Sequence, residues 1–531
     1  MNLCKLSLLS VILLITLSCK KEIEELSLES NTEITNPSPA PIFVVDNFKN
    51  VRQLGAKGDG QTDDFAILQS IINNNDSVVF DGGVYIINST LKLKSGSKIL
   101  GKNGAIIKAG QNMQRGLIEN ARYFEVNNCT GVSISGLVFQ PSDKLFKLLG
   151  RNATILVDNS VDVTIADNTF DFKLPYDVLG YEAVWVAGSK TNNTVIKSNK
   201  LYSVGIQYAE DGAKGTVVES NFIKNAHANA LTANGNIIAP IRGCKLLNNT
   251  IENAGRMGIE DWGVVDGTLI QGNTIVGTGK DAVQAIHAGI GISAVGTNTK
   301  VIKNKITDAQ NDYIELGGNT NAIADGNEIY DTEKLATGII FNYSEKMPAN
   351  VTSNNPQATN NIINGCKKGI QISGINCTNG LISNNTFIDP GTGGIDVDSD
   401  AKRYDIQILA NKFNVNTPSK KFRALITSYS NLAIGSSNQN LTISKNVINY
   451  SESAAGGSAL EYSILIPTDN AKILDNEINA RNIKSGGSNI VAITGNGSKA
   501  VNVVIGNNRI SGAIVYLNSY TSPNLFNNSV N

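Results

Sequence analysis

One unit recurs along most of this chain: an apolar residue, two variable residues, an asparagine, one variable residue and a second apolar residue. It reads IADNTF at Asn168, IKSNKL at Asn199, VESNFI at Asn221, LLNNTI at Asn249 and IQGNTI at Asn273, and it returns at Asn304, Asn327, Asn385, Asn411, Asn446, Asn476 and Asn508. From Asn199 to Asn304 the gaps are 22, 28, 24 and 31 residues, a spacing that fits one turn of a solenoid with loops of varying length. Each unit alternates Ile, Val or Leu with polar residues at period two, the mark of short strands with one buried face, and helical spacing is nearly absent.

An asparagine at a fixed place per turn has two physical uses. It tolerates the left-handed conformation of a tight corner, and its amide can bond the equivalent amide one coil away, so stacked corners make a ladder. Short strands, a corner asparagine in register and no intervening helices specify an all-β parallel β-helix. The 531-residue length is then no argument for several ordinary domains, because each coil packs only on its neighbours. With 45 Lys+Arg against 46 Asp+Glu there is no footprint for nucleic acid.

The open end of such a coil exposes strand edges and an apolar bore, so it needs a cover. Thr62 to Asn73 (TDDFAILQSIIN) reads as a capping helix, with Thr62 or Asp63 as its cap and Phe65, Ile67, Leu68, Ile71 and Ile72 as its apolar side. The run VRQLGAKGDGQTDDFAILQSII, followed by GGVYIINSTLKLKSGSKILGKNGAIIKAG, closely resembles the N-terminal cap and first coils of the pectate-lyase-like superfamily. The resemblance implies a single-stranded right-handed parallel β-helix and a carbohydrate substrate; it does not fix the reaction. The NTD, GDD, GHG and RIK series of the polygalacturonase-like hydrolases is missing, as is the YGFDPH-like strand of the alginate epimerases.

Lys5 precedes an apolar stretch from Leu6 to Leu17 that ends at Ser18-Cys19, too short to span a membrane. This resembles a bacterial lipoprotein signal and implies lipidation of Cys19, export, and display on the cell envelope, at the outer membrane or cell surface. Residues 1–18 are then signal, 19–42 a polar, Pro-containing tether, and 43–531 the β-helix body, which meets the membrane through its lipid only. Of the body's four cysteines, Cys366 and Cys377 are near enough to pair, but burial as small apolar residues is the expected state.

A second strand follows each asparagine corner, often opened by Gly-Ile. Taking Val184, Ile206, Leu231, Ile259, Ile290, Ile314, Ile339, Ile370 and Ile395 as inward-pointing sends their successors outward: Trp185, Gln207, Thr232, Glu260, Gly291, Glu315, Ile340, Gln371 and Asp396. The next outward column runs Ala187, Ala209, Asn234, Trp262, Ser293, Gly317, Asn342, Ser373 and Asp398. Both tryptophans and both histidines of the chain fall on or just before this strip, with Arg256 and Asp312. His227, Arg256, His287 and Asp312 are expected on consecutive coils lining a sugar cleft. Asp261 breaks the alternation: it is sent into the bore, where an unpaired carboxylate is costly, so either the strand ends after Glu260 or a partner holds it.

Two chemistries fit. A lyase cutting a uronic-acid-containing, hence anionic, polysaccharide by β-elimination needs a cation to neutralise the carboxylate and a base to take the neighbouring proton. Arg256, with Lys280 or a bound Ca2+, suits the first role, and His227 or His287 the second. An inverting glycoside hydrolase would use Glu260 and Glu315, two coils apart, about 9.6 Å by strand spacing. Trp185, Gln207, Asn234 and Trp262 are the expected sugar-binding residues, and Asp396, Asp398 and Asp400 a weak calcium pattern. The lyase is the preferred reading; a non-catalytic glycan-binding solenoid is the remaining alternative.

Overall fold

The computed structural model describes residues 48–531 except 112, 114–121, 143–151, 174–180, 282–288, 334, 343–353, 374–376, 398–402, 418–422, 429–437, 452–460, 481–489, 496–499 and 514–519. Cys19, the signal and the tether therefore lie outside the described residues, as do His287, Asp398 and Asp400. Among the described residues no helix is long and apolar enough to cross a membrane.

A typical coil contributes three short strands, such as Val195–Lys197, Lys200–Tyr202 and Gly205–Glu210. Each pairs in parallel with its equivalent one coil on, which builds three long sheets around a single bore. The middle residue of the three-residue strands points inward, so Ile165, Ile196, Val218, Leu246, Ile270 and Val301 are all fully buried in one stack. Aromatic rings extend such stacks: Phe387 lies face to face with Phe413 at 4.7 Å and Phe139 with Phe170 at 5.0 Å.

The asparagine ladder is continuous from Asn168 to Asn528. At each interior rung the backbone N–H and side-chain Nδ2 both donate to Oδ1 of the next asparagine, as Asn249 does to Asn273 at 2.9 and 3.0 Å and Asn273 to Asn304 at 2.9 and 2.9 Å. The ladder includes Asn361 and Asn528, which the repeat pattern missed. Division of labour at the corner also differs from expectation. The left-handed conformation falls on the residue before the ladder asparagine, with φ of 57° at Asp167, 55° at Ser198, 54° at Ser220, 53° at Asn248 and 52° at Lys303. The ladder side chain turns inward from the corner its neighbour makes, so the preceding position varies in type while the asparagine does not.

The capping helix runs Phe65–Asn74 and buries Leu68, Ile71 and Ile72 against the first coils, with Phe65 and Ile67 packed beside them. Thr62 and Asp63 are not its cap: they end the strand Asp59–Asp63, and the N-cap is Asp64. The Asp64 carboxylate accepts from the N–H groups of Lys57 and Gly58 instead of from the first helical turn, so it ties the helix to the preceding loop.

The Gly-Ile signal has a packing cause. A Cβ on Gly369 would meet a Phe387 ring carbon and the Gly394 carbonyl at 2.5 Å each. At this corner the third sheet bends over side chains of the second, and only glycine leaves them room. Cys129, Cys244, Cys366 and Cys377 are all buried, the state expected of small apolar side chains.

Candidate functional site

The third sheet carries the strip singled out above. Its inward column runs Ile155, Val184, Ile206, Leu231, Ile259, Ile292, Ile314, Ile339, Ile370 and Ile395, paired rung to rung. Two positions correct the sequence ruler. At the coil of AGIGISA the inward residue is Ile292, not Ile290, so Ser293 joins the first outward column between Glu260 and Glu315, and Gly291 falls at the corner. A bulge after Gln207 places Glu210, not Ala209, opposite Ala187 and Asn234.

Glu260 and Glu315 therefore stand in one outward column two coils apart, about 9.6 Å along the axis at the usual strand spacing. Both are clamped by the neighbouring coils. Glu260 accepts from Asn229 Nδ2 at 2.5 Å and Thr232 Oγ at 3.0 Å. Glu315 accepts from Ser293 Oγ and Asn342 Nδ2, each at 2.6 Å. Asp312 lies on the same strand as Glu315, Asp312–Thr320, three residues earlier. The two carboxylates, with Gln310, Asn311, Lys367, Lys368 and Gln371, line a pocket of about 470 Å³.

The pocket holds its two carboxylates in unlike surroundings. Burial pushes the Asp312 carboxyl above the usual carboxylate range; a Thr337 hydrogen bond opposes this, the Glu315 charge adds to it, and Lys368 opposes it. Lys368 is itself paired with Asp396 at 2.6 Å. Lys368 escaped the sequence reading although the signal was there: in KKGIQIS it precedes the inward Ile370 by two, the offset at which Asp312 precedes Ile314.

The remaining expected residues divide. His227 is fully buried, with Nδ1 facing the Ser203 carbonyl at 3.1 Å; burial lowers its pKa, so it is a neutral side chain under the surface and not a lining residue of the cleft. It precedes its inward residue by four, Arg256 by three and Asp312 by two, so the three stand at different heights of the coil and do not form one row. Arg256 is half-buried at a bend, Lys280 and Asn234 are exposed, and Gln207 is buried with its amide turned onto the Ala209 carbonyl. Trp185 is half-buried and donates Nε1–H to Glu210 at 3.0 Å, and Trp262 stands beside Asn234 in the next column. No group of three His, Cys, Asp or Glu side chains placed to hold a metal ion occurs among the described residues; Asp396 is paired with Lys368, and Asp398 and Asp400 lie outside the described residues.

Asp261 resolves in favour of a partner. The strand Ile259–Gly263 continues through it, and Tyr208, from two coils earlier, donates to its carboxylate at 2.7 Å inside the bore. Burial pushes the Asp261 carboxyl up to about 6, against the hydrogen bonds it accepts. The bulge after Gln207 puts Tyr208 and Ala209 both at zero exposure, which sends the phenol into the bore.

Two family models match the chain: rhamnogalacturonase A/epimerase, pectate-lyase-like, over residues 48–170, and the right-handed β-helix region over 288–463. A probable glucan endo-1,3-beta-glucosidase of Arthroderma benhamiae is 42% identical over 60 residues, 11% of this chain and 7% of that protein. The non-secreted LysM effector LysM19 of Penicillium expansum is 47% identical over 64 residues, 11% of this chain and 5% of that one. This chain thus spans less than a tenth of the length of either curated relative. Among solved structures, PfbA, a surface adhesin of Streptococcus pneumoniae, aligns with a TM-score of 0.48 at 16% identity, covering 69% of this chain and 90% of its own. From the three parallel sheets, the helical cap and the two family models together, the chain belongs to the pectate-lyase-like superfamily of right-handed parallel β-helix proteins.

Proposed function

We propose that this protein is a carbohydrate-active enzyme that hydrolyses a glycosidic bond in the pocket around Asp312 and Glu315. The observation that carries the reading is the pair of unlike carboxylates: one kept protonated to higher pH by burial and a neighbouring charge, the other clamped by two donors. A buried carboxyl that keeps its proton to higher pH suits the acid role, and a carboxylate oriented by two donors beside it suits the base. Asp312 gives its proton to the glycosidic oxygen as the bond to the anomeric carbon breaks. Glu315 takes a proton from the water that attacks that carbon. The products are a new reducing end and a free hydroxyl; Asp312 ends ionised and Glu315 protonated, and solvent resets both. Glu260, two coils away in the same column as Glu315, is available to an adjoining sugar.

β-Elimination needs a base near the substrate. Of the two histidines expected in that role, His227 is enclosed and His287 lies outside the described residues; among the residues lining the pocket Lys367 and Lys368 are the candidate bases, and hydrolysis is preferred because the same pocket carries two carboxylates. Incubating the full chain with a panel of neutral and uronic polysaccharides decides between them. New reducing ends without ultraviolet-absorbing unsaturation mean hydrolysis, unsaturated ends mean elimination, and binding without product means a glycan-binding solenoid. Asp312→Asn and Glu315→Gln should each lower turnover by about 10²–10⁴-fold, the usual range for a positioned acid or base. Full activity in both would refute the assignment.

A further inference from the structure

Asp261 is not the only polar side chain inside the bore. The residue just before the first strand of each coil points inward, and over most of the solenoid it is apolar, as at Val132, Val163, Ala322, Leu441 and Val503. Between Val163 and Ala322 the column reads Thr194, Thr216, Cys244, Thr268 and Thr299, each at zero exposure and stacked because the strands that follow pair rung to rung. On the third sheet the inward side chains shrink over the same coils. Asp261 has Ala233 on one side and Ala294 on the other, where Val157 and Val186 come before and Leu316 and Phe341 after. The two columns meet at Asp261: Thr268 faces its carboxylate, and the Cys244 thiol, with Thr216 beside it, lies within reach of its charge.

Five oxygens of this stretch have no well-formed hydrogen-bond partner among the described residues: the Thr194, Thr216, Thr268 and Thr299 hydroxyls and Asp261 Oδ2. Tyr208 holds only the other carboxylate oxygen, Oδ1. Fully buried polar groups are ordinarily paired, so five in one stretch of bore call for a partner that these side chains do not supply. Stacked hydroxyls on adjacent coils stand about 4.8 Å apart, too far to bond each other, but a molecule about 2.8 Å from both subtends an angle of about 118°, near the tetrahedral angle of water. Water is also both donor and acceptor, so it can give a hydrogen to Asp261 Oδ2 and give or take one at each hydroxyl. We infer that the bore between Thr194 and Thr299 binds a file of water molecules that bridges the stacked hydroxyls and donates to Asp261 Oδ2. The water file lies behind the strand that carries Glu260 and owes nothing to the chemistry of the pocket.

The test uses the full chain. A high-resolution crystal structure should show one ordered water within hydrogen-bond distance of Asp261 Oδ2 and another bridging the Thr268 and Thr299 hydroxyls. In solution, magnetic relaxation dispersion of the water nuclei counts long-lived internal waters, and the count should fall in the double variant Thr268→Val/Thr299→Val. Valine keeps the shape of threonine without its hydroxyl, so urea unfolding of Thr299→Val separates a wet bore from a dry one. With water in place the change takes a partner from a bound molecule and lowers the urea midpoint; in a dry bore it removes an unpaired hydroxyl and raises it. The wild-type crystal structure decides the matter even where a valine variant folds poorly. A dry bore in that structure, an unchanged water count, or a midpoint that rises or stays level in Thr299→Val overturns the inference.

Discussion

Replacing Asn273 by alanine tests whether the ladder holds the coils or merely decorates them. The side chain accepts two hydrogen bonds from Asn249, at 2.9 and 3.0 Å, and gives Nδ2 to the Leu246 carbonyl at 2.9 Å, the Gln271 carbonyl at 3.2 Å and Asn304 Oδ1 at 2.9 Å. Alanine keeps the bond from the Asn273 backbone N–H to Asn304, so that rung survives in part. The Asn249 N–H is stranded in the interior, and the Leu246 carbonyl loses its side-chain donor. Asn249 Nδ2 retains its bond to the Val218 carbonyl at 2.9 Å. A buried polar group left unsatisfied costs about 1–3 kcal/mol, so the stranded Asn249 N–H and a small cavity predict about 2–4 kcal/mol at this coil. The control is Asn528, the last rung, whose partner bonds are only part-buried. Water can replace them, and Asn528→Ala should cost about 1 kcal/mol or less. Because coils in a solenoid unfold with their neighbours, the readout is native-state hydrogen exchange of the Asn249 and Asn221 amides alongside the urea midpoint. Equal losses at Asn273 and Asn528, or a loss under about 1 kcal/mol at Asn273, would refute the reasoning.

Other consequences follow from the same geometry. Asp261 has its pKa raised from 3.8 to about 6, so the folded protein holds a proton that the unfolded chain releases between those values. Stability should be higher below pH 4, fall by about 3 kcal/mol as pH rises to about 6, and level off above it. Asp261→Asn should remove that slope in the difference between wild-type and variant urea midpoints, and an unchanged slope would sink the assignment. Turnover should fall as pH rises through the raised pKa of Asp312, which must be protonated to act, and the alkaline limb should lie above the ordinary carboxylate range; a limb lying within that range would count against Asp312 as the acid. Gly369→Ala drives a methyl into the Phe387 ring and the Gly394 carbonyl, and should cost about 1–3 kcal/mol in thermal or urea unfolding; a neutral result would mean the corner has room after all.

Much of the architecture was legible in the sequence because a solenoid repeats its local rules. The spacing of Asn199, Asn221, Asn249 and Asn273, the two-residue alternation around each, and the helix over Phe65–Asn74 are all local patterns, and each coil tests the same pattern again. Asn361 and its coil were missed because their first strand, Gln357–Thr359, has polar residues on both sides of the inward Ala358, whereas the coil of Asn327, with Ala324 at the same place, still offers Ile323 beside it. The outward column was legible for the same reason and slipped where glycine multiplied: AGIGISA offers two isoleucines, and only pairing with Ile259 and Ile314 selects Ile292.

What the tertiary structure alone decided is which side chains of that column meet, and in what surroundings. Alternation along one strand cannot report that a bulge after Gln207 turns Tyr208 inward to hold Asp261, because the contact joins residues 53 apart in sequence. Nor can it report that His227 is enclosed while Asp312, two positions nearer the strand centre, faces a pocket with Glu315 and Lys368. Local sequence sets the phase of each rung, since backbone corners and buried faces depend on near neighbours. Burial and charge at a site are sums over several coils and the loops between them, and those sums exist only once the coils are stacked.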